Sequence, residues 1–161
     1  MKRICWTEAT TGGVSVFTFA QEFMDLFADE QQAIKAGWAK VVPKDALHPK
    51  LLNEDDGPLN RRFRRCWRRD GDSVPSVDLP LARQQRMDEI RAERNRRLQE
   101  SDHEYLKEID IGDAGKVNAW KEYRQALRTL LNRADVIEGL EACDGAGAIS
   151  GWGAPWPRKP V

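Results

Sequence analysis

The three cysteines and two histidines carry the most specific chemistry in this sequence, because such residues hold metals, form disulfides or act as nucleophiles and bases. Cys5, Cys66 and Cys143 are odd in number and far apart, and His48 and His103 complete no metal-binding spacing with them. We therefore expect three reduced thiols, no disulfide framework, no metal and no cofactor.

Other patterns by which catalytic sites are recognised are also missing. Asp110 and Asp113 flank a glycine without matching a calcium-binding loop, and Gly12-Gly13 lacks the strand-to-helix setting of a phosphate loop. Cys66 lies among arginines, which would lower the pKa of an exposed thiol, but no base or acceptor site accompanies it. The sequence therefore predicts no catalytic residues, and we expect that the protein is not an enzyme.

Residues 61–69 hold six arginines together with two aromatic side chains. One hypothesis is a phosphate-binding patch on which bases stack. The other is a strand that turns Phe63, Arg65 and Trp67 inward while the remaining arginines pair with nearby acids. The net charge of zero favours the second hypothesis, because nucleic-acid-binding domains are normally basic. We therefore disfavour nucleic acid as a partner.

The composition is that of a folded protein with a thin core. The chain has 161 residues, of which 40% are hydrophobic and 32% charged, and its mean hydropathy is −0.67. Six Trp, five Phe and two Tyr exclude wholesale disorder. No stretch approaches 18 apolar residues and the first residues have no signal-peptide core, so we expect no membrane association.

Residues 1–78 have the pattern of a small antiparallel β-containing head. Residues 3–9 and 14–19 are rich in β-branched and aromatic side chains and flank the Gly12-Gly13 turn, as in a hairpin. A lone hairpin is marginally stable, so we expect at least a third strand or a packed helix.

The rest of this head is predicted from its apolar spacing and its breakers. Residues 21–36 have helical periodicity, and Gly37 is placed to cap the helix end. Residues 38–42 suggest a short strand, residues 43–60 a surface loop, and Val74 and Val77 a returning strand.

Residues 79–132 change character and predict a helical hairpin. Residues 81–100 contain no glycine or proline, and residues 101–104 form a capping box that would open a second, short helix. Residues 116–132 then have the clearest apolar stripe in the chain. Because the seam is thin, we expect further packing on the head, on another copy or on a partner.

Residues 133–161 form a predicted irregular, extended tail rich in glycine and proline. Trp152 and Trp156 lie within it, and water is a poor environment for both. They therefore either dock on the chain's own surface or anchor a partner, and we favour the second. The whole is predicted to be an α+β protein with a head, a helical hairpin and a tail.

Several stretches of residues 61–131 resemble a recurrent bacteriophage module. They are Phe63-Arg64-Arg65-Cys66-Trp67, Val77-Asp78, Ala82-Arg83, Ile90-Arg91-Ala92-Glu93-Arg94, Ser101-Asp102, and Ala119-Trp120-Lys121-Glu122-Tyr123-Arg124-Gln125-Ala126-Leu127-Arg128. The ending around Pro155-Trp156-Pro157 is similar too. The pattern resembles phage tail-fibre assembly chaperones and related tail assembly proteins.

This resemblance implies a chaperone that assists folding and assembly of a tail fibre or tailspike through protein–protein contacts. The implied partners are the fibre or tailspike protein or other tail subunits. Association with further copies of the same chain is a second alternative. The implied location is the host cytoplasm during assembly, with retention in the virion tail as an alternative. A permanent virion component, such as a tail adaptor or fibre-attachment subunit, is the competing function, and a nucleic-acid-binding phage protein is a third.

The candidate partner-binding residues are those of types favoured at interface centres. They are Trp120, Tyr123, Arg124, Leu127, Arg128, Trp152 and Trp156. The alternative is that Trp120 and Leu127 fill the seam of the helical hairpin while Arg124 pairs with Glu93 or Glu100.

Overall fold

The computed structural model describes residues 2–53, 55–57 and 60–161, and the chain divides into two compact units, Met1–Asp78 and Leu79–Val161. The first unit contains antiparallel sheets and helices, and the second is helical. The predicted α+β class is confirmed. Among the described residues, no helix combines the length and apolar character needed to cross a membrane.

A three-stranded antiparallel sheet forms the first unit. Strand β1 (Arg3–Thr7) lies in the middle, between β2 (Val14–Thr18) and β3 (Leu47–Leu52). The turn after β1 depends on Gly12, whose φ of 66° is the left-handed conformation that side chains disfavour. The expectation of a third strand is confirmed. It comes from residues 43–60, where we predicted only a loop.

Strand β3 could not be predicted from the sequence, because it has two features that are unusual in strands. It contains Pro49, which cannot donate to a ladder, and His48, whose φ is 50°. An irregularity of register between Cys5 and Thr7 of β1 accommodates them. The partner strand, and not the local composition, therefore decides that this segment is extended.

The helical part of the first unit differs from the prediction. Two helices, α1 (Gln21–Met24) and α2 (Glu30–Val41), replace the single predicted helix 21–36, and the predicted strand 38–42 is wrong because α2 continues to Val41. Asp29 starts α2 by accepting a hydrogen bond from Gln32 N at 2.8 Å.

Gly37 does not cap a helix; it lies inside α2 and is buried. A Cβ built at this position would lie 2.1 Å from Cε1 of the Phe19 ring. Phe19 is itself only 1% exposed, so the ring fills the space that a side chain at residue 37 would need. The glycine therefore allows close packing between α2 and the end of β2.

The arginine-rich segment is not the strand that we predicted. Residues Arg61–Cys66 form a 3₁₀ helix, and only Trp67–Arg68 (β4) pairs with Ser76–Val77 (β5). The segment has a kink at Phe63, and Phe63 and Cys66 are buried, whereas Arg65 is exposed. The predicted returning strand is seen at Val77, which pairs with Trp67, but it does not include Val74.

The second unit is built on one helix of 33 residues, α3 (Leu79–Ile111), followed by α4 (Ala114–Thr129), which packs against it. The predicted capping box at residues 101–104 is wrong, since these residues lie inside α3. Ser101 is buried there and its hydroxyl donates to the Leu98 carbonyl at 2.7 Å. The helix ends at Gly112, whose φ is 81°.

The remaining residues are less irregular than their composition suggested. A 3₁₀ turn (Leu130–Asn132) leads into α5 (Ala134–Glu141) and α6 (Ala146–Gly151). Residues 152–161, here named the C-terminal strap, have no regular secondary structure.

Replacing Gly37 by alanine tests the close packing against Phe19. Alanine favours a helix over glycine by up to about 1 kcal/mol, but the overlap with the ring should dominate and destabilise the protein by about 2 kcal/mol. The control is Gly147→Ala in α6, where no heavy atom lies within 4 Å of the added Cβ. Urea unfolding followed by tryptophan fluorescence should rank the control at or above wild type and Gly37→Ala below it. Equal stability of Gly37→Ala and wild type would contradict the packing argument.

Candidate partner-binding surface

Helix α4 presents three of the candidate residues on one face. Trp120, Tyr123 and Leu127 follow each other at spacings of three and four residues, so they point to the same side of the helix. Together with three side chains from α3 and the strap they form the Trp120 cluster. Its members are Trp120, Tyr123, Leu127, Leu98, Tyr105 and Trp156.

The three α4 side chains are part of the interior of this unit. Leu127 is fully buried, and Trp120 and Tyr123 are only 5% and 6% exposed. The rings of Trp120 and Tyr123 meet edge to face, with centroids 5.7 Å apart. In this fold they fill the seam between α3 and α4. This agrees with the second hypothesis for Trp120 and Leu127, in which both side chains pack inside the helical hairpin.

Arg124 has a different partner from those that we predicted. Its guanidinium binds the carboxylate of Asp102 on α3 and lies 5.2 Å from the ring centre of Tyr105. Glu93 and Glu100, the expected partners, bind Arg96 within α3. Because α3 continues through residues 101–104, Asp102 lies close enough to bind Arg124. We did not predict this ion pair because we expected the helix to end before these residues.

The C-terminal strap lies across two apolar clusters of the second unit. Trp152 and Trp156 both contact the Ile90 cluster, and Trp156 also contacts the Trp120 cluster. The Ile90 cluster consists of Ile90, Leu130, Val136, Met87, Leu131, Trp152, Ala154 and Trp156. Of the two alternatives for the tail tryptophans, docking on the chain's own surface is the one seen, and both side chains keep part of their surface exposed.

Gly139 of α5 makes room for Trp152. A Cβ at this position would lie 3.0 Å from Nε1 of the Trp152 indole and 3.2 to 3.3 Å from two of its ring carbons. Arg86 of α3 fixes the same part of the strap by donating to the Trp152 carbonyl at 2.8 Å. These two contacts set where the strap begins.

Cations hold the rest of the strap over the aromatic rings. The Arg97 guanidinium lies 4.2 Å from the ring centre of Trp156, and the Lys159 ammonium lies 5.7 Å from that of Trp120. Within the described residues, no backbone–backbone hydrogen bond joins the strap to a helix. Side chains therefore provide the attachment that a strand would obtain from its backbone.

Glu93 orients the arginine that contacts Trp156. Its carboxylate accepts a hydrogen bond from Arg97 Nε at 2.8 Å and also binds Arg96. Hydrogen bonds from Arg96 and Arg97 lower the pKa of Glu93 to about 2. At neutral pH the carboxylate is ionised and keeps the guanidinium in place over the indole.

The sequence reasoning missed Glu93, Arg97 and Gly139 as parts of this surface. The spacing of four between Glu93 and Arg97 is a usable signal for an ion pair on one helix face. Nothing in the sequence indicates that Trp156 is the ring that meets Arg97, because that contact depends on where the strap lies.

Two kinds of exposed side chain adjoin these clusters. Arg128, at the end of α4, is exposed and has no ion-pair partner among the described residues. Leu106, Ile109 and Ile111 are exposed apolar residues at the C-terminal end of α3, and Leu106 and Ile111 are 59% and 63% exposed.

The cysteines offer little reactivity. All three are free and buried, and burial raises the pKa of the Cys66 thiol, which outweighs the opposing effect of Arg68. The expectation that arginines would lower this pKa applied to an exposed thiol and does not hold here. Among the residues that the structure describes, no group of three His, Cys, Asp or Glu side chains could hold a metal ion.

Comparison with known families identifies the segment that carries this surface. Residues 87–161 match the family described as phage tail assembly chaperone protein. The resemblance inferred from the sequence is thus confirmed for this segment, which runs from within α3 to the end of the strap. The part of the resemblance placed on residues 61–86 lies outside the match. The match supports a role in phage tail assembly and implies interaction with phage tail proteins.

No curated protein and no solved structure matches the chain.

Replacing Glu93 by glutamine tests how the strap is held. Because the folded pKa of Glu93 is about 2, its stabilising effect is complete above the unfolded value near pH 4.3 and is lost as the pH falls towards 2. Glu93→Gln should therefore destabilise the protein by about 0.5–1 kcal/mol at pH 7, and this difference should vanish near pH 2. Urea unfolding at several pH values measures it.

The matched control is Glu138→Gln on α5, which removes an exposed carboxylate that makes no ion pair with the described residues. If Glu93→Gln and Glu138→Gln have the same pH profile, the Glu93–Arg97 pair does not stabilise the fold.

Proposed function

We propose that the protein is a chaperone that assists the folding and assembly of a tail fibre or tailspike through protein–protein contacts, and that it is not an enzyme. The observation that supports this proposal most directly is that the residues matching the family are the same residues that form the strap and the surface beneath it. The matched segment, 87–161, contains the whole strap, Arg97 and all of α4.

The physical need for such a chaperone comes from its client. Subunits of a long trimeric fibre expose apolar surface and strand edges until they associate, and such surfaces aggregate. A protein that covers them needs a surface with aromatic and arginine side chains, which supply most of the binding energy in interfaces. The strap and the end of α4 provide these residue types.

The strap is suited to binding because it is ordered before the client arrives. Pro155, Pro157 and Pro160 restrict its backbone, and both tryptophans already rest on the helices. A surface that is fixed in advance loses less conformational entropy on binding than a free tail.

The seven candidate residues therefore divide into two proposed roles. Trp152, Trp156 and Arg128 contact the client, because each keeps exposed surface. The buried residues support the strap from below, and Arg124 keeps α3 and α4 in register through its ion pair with Asp102.

A permanent place in the virion, as a tail adaptor or fibre-attachment subunit, is the alternative. A chaperone of this kind acts in the host cytoplasm, and quantitative mass spectrometry of purified virions distinguishes the two. A stoichiometric amount of the protein in the virion would support the structural role, and trace amounts or none would support the chaperone.

Replacing Trp156 by alanine tests the proposed client surface. The protein should be co-expressed with the fibre or tailspike protein of the same phage and recovered through an affinity tag. We expect Trp156→Ala to be less stable than wild type, because Trp156 packs against both clusters, yet to stay helical by circular dichroism and to weaken client binding by about tenfold or more. Arg128→Ala should have a smaller effect because its guanidinium is solvated.

The control is Lys121→Ala, an exposed position on α4 with no recorded partner in the described residues. It should bind the client like wild type. If a folded Trp156→Ala variant also recovers the client in full, the strap is not the client surface. If wild type recovers none and leaves the fibre insoluble, the fibre is not the client.

A further inference from the structure

Five of the six arginines of residues 61–69 divide into two groups, and the sixth, Arg62, has its guanidinium 5.9 Å from the ring centre of Phe63. Arg68 and Arg69 are bound within the fold: Arg68 donates to the Trp67 carbonyl at 2.9 Å, and Arg69 donates to the carbonyls of His48 and Ser73. These two arginines satisfy backbone oxygens of the turn and of β3, so their positions are explained by folding.

Arg61, Arg64 and Arg65 have no such explanation. All three are exposed, and among the described residues no carboxylate lies within ion-pairing distance of any of them. The expectation of pairing with nearby acids is therefore not met for Arg61 and Arg64, and Arg65, which was expected to turn inward, is exposed.

These guanidinium groups belong to a kinked 3₁₀ segment that we name the arginine turn (Arg61–Cys66). Asn60 caps it by accepting a hydrogen bond from Arg62 N at 3.0 Å. Phe63 and Cys66 anchor it in the interior, being 0% and 4% exposed. The cost of ordering the backbone is therefore met on folding and not on binding.

The chemistry of the turn favours a carboxylate-bearing partner over a nucleic acid. Binding of single strands uses aromatic rings as stacking platforms, but Phe63 and Trp67 are buried and cannot accept a base. Residues 1–78 also carry equal numbers of basic and acidic side chains, whereas nucleic-acid-binding domains are normally basic. Guanidinium groups match carboxylates in a bidentate geometry.

We propose that the arginine turn is a docking site for an acidic segment of a partner protein. It lies outside the family match of residues 87–161 and in the other unit from the strap. The protein therefore has two separate contact surfaces, one apolar and aromatic, the other cationic. The second does not depend on the proposed client.

The test uses the full chain and a fluorescein-labelled decaglutamate peptide, with binding followed by fluorescence anisotropy. The variant is the triple replacement Arg61→Gln, Arg64→Gln and Arg65→Gln. Loss of three exposed arginine–carboxylate pairs should weaken binding by about tenfold. The melting temperature should not change, because these side chains are exposed and make no ion pair with the described residues.

A matched variant removes the same charge from the same unit. Lys35→Gln, Lys40→Gln and Lys44→Gln replace three exposed lysines on and after α2. This lysine variant should weaken peptide binding by less than about twofold, because salt screens the attraction between these exposed lysines and the peptide. A third variant, Arg61→Lys, Arg64→Lys and Arg65→Lys, keeps the positive charge but loses the planar guanidinium group that binds a carboxylate through two nitrogens. Its affinity for the peptide should lie between those of wild type and the glutamine variant.

Three outcomes would overturn the proposal. The first is no peptide binding at about 50 mM salt, where screening is weak. The second is an equal loss in the arginine and lysine variants, which would make the effect one of net charge. The third is tighter binding of an oligothymidylate of about 20 nucleotides than of the peptide at physiological salt, which would make the turn a nucleic-acid site.

Discussion

Helix α3 buries very few apolar side chains for its 33 residues. The stability of the second unit therefore depends on the elements that pack over these few side chains. Ala82 and Ile90 are the buried hydrophobic residues on it, and the other two buried positions are Ser101 and Glu108. Such a helix gains little from its own propensity and is stable only when other elements pack on it. Helix α4 covers one part of it, and the strap covers the region around Ile90.

Charged residues on α3 contribute to the same packing. Arginine can lie flat on an aromatic ring while its nitrogens bind a carboxylate, and Arg97 does both through Trp156 and Glu93. Arg86 similarly binds the strap backbone while pairing with Glu89. A helix that looks highly polar therefore carries specific contacts for the tail of the chain.

The same residue type has a different role in the first unit. There Arg61, Arg64 and Arg65 make no ion pair with the described residues, whereas Arg68 and Arg69 bind backbone carbonyls. Exposed side chains without an ion pair contribute little to stability, which fits a binding function better than a structural one. The neutral total charge conceals this difference, because acids elsewhere balance the arginines.

The sequence by itself determined the class of fold, the first hairpin, and the resemblance to phage tail assembly chaperones, since these depend on local patterns and motifs. It did not determine β3, which contains Pro49 and is extended because β1 pairs with it. Likewise Gly37 resembled a helix cap until Phe19 was seen to occupy its space. The position of Trp156 over Arg97 was decided only by tertiary structure, because residues 59 apart in sequence meet through packing that no local pattern encodes.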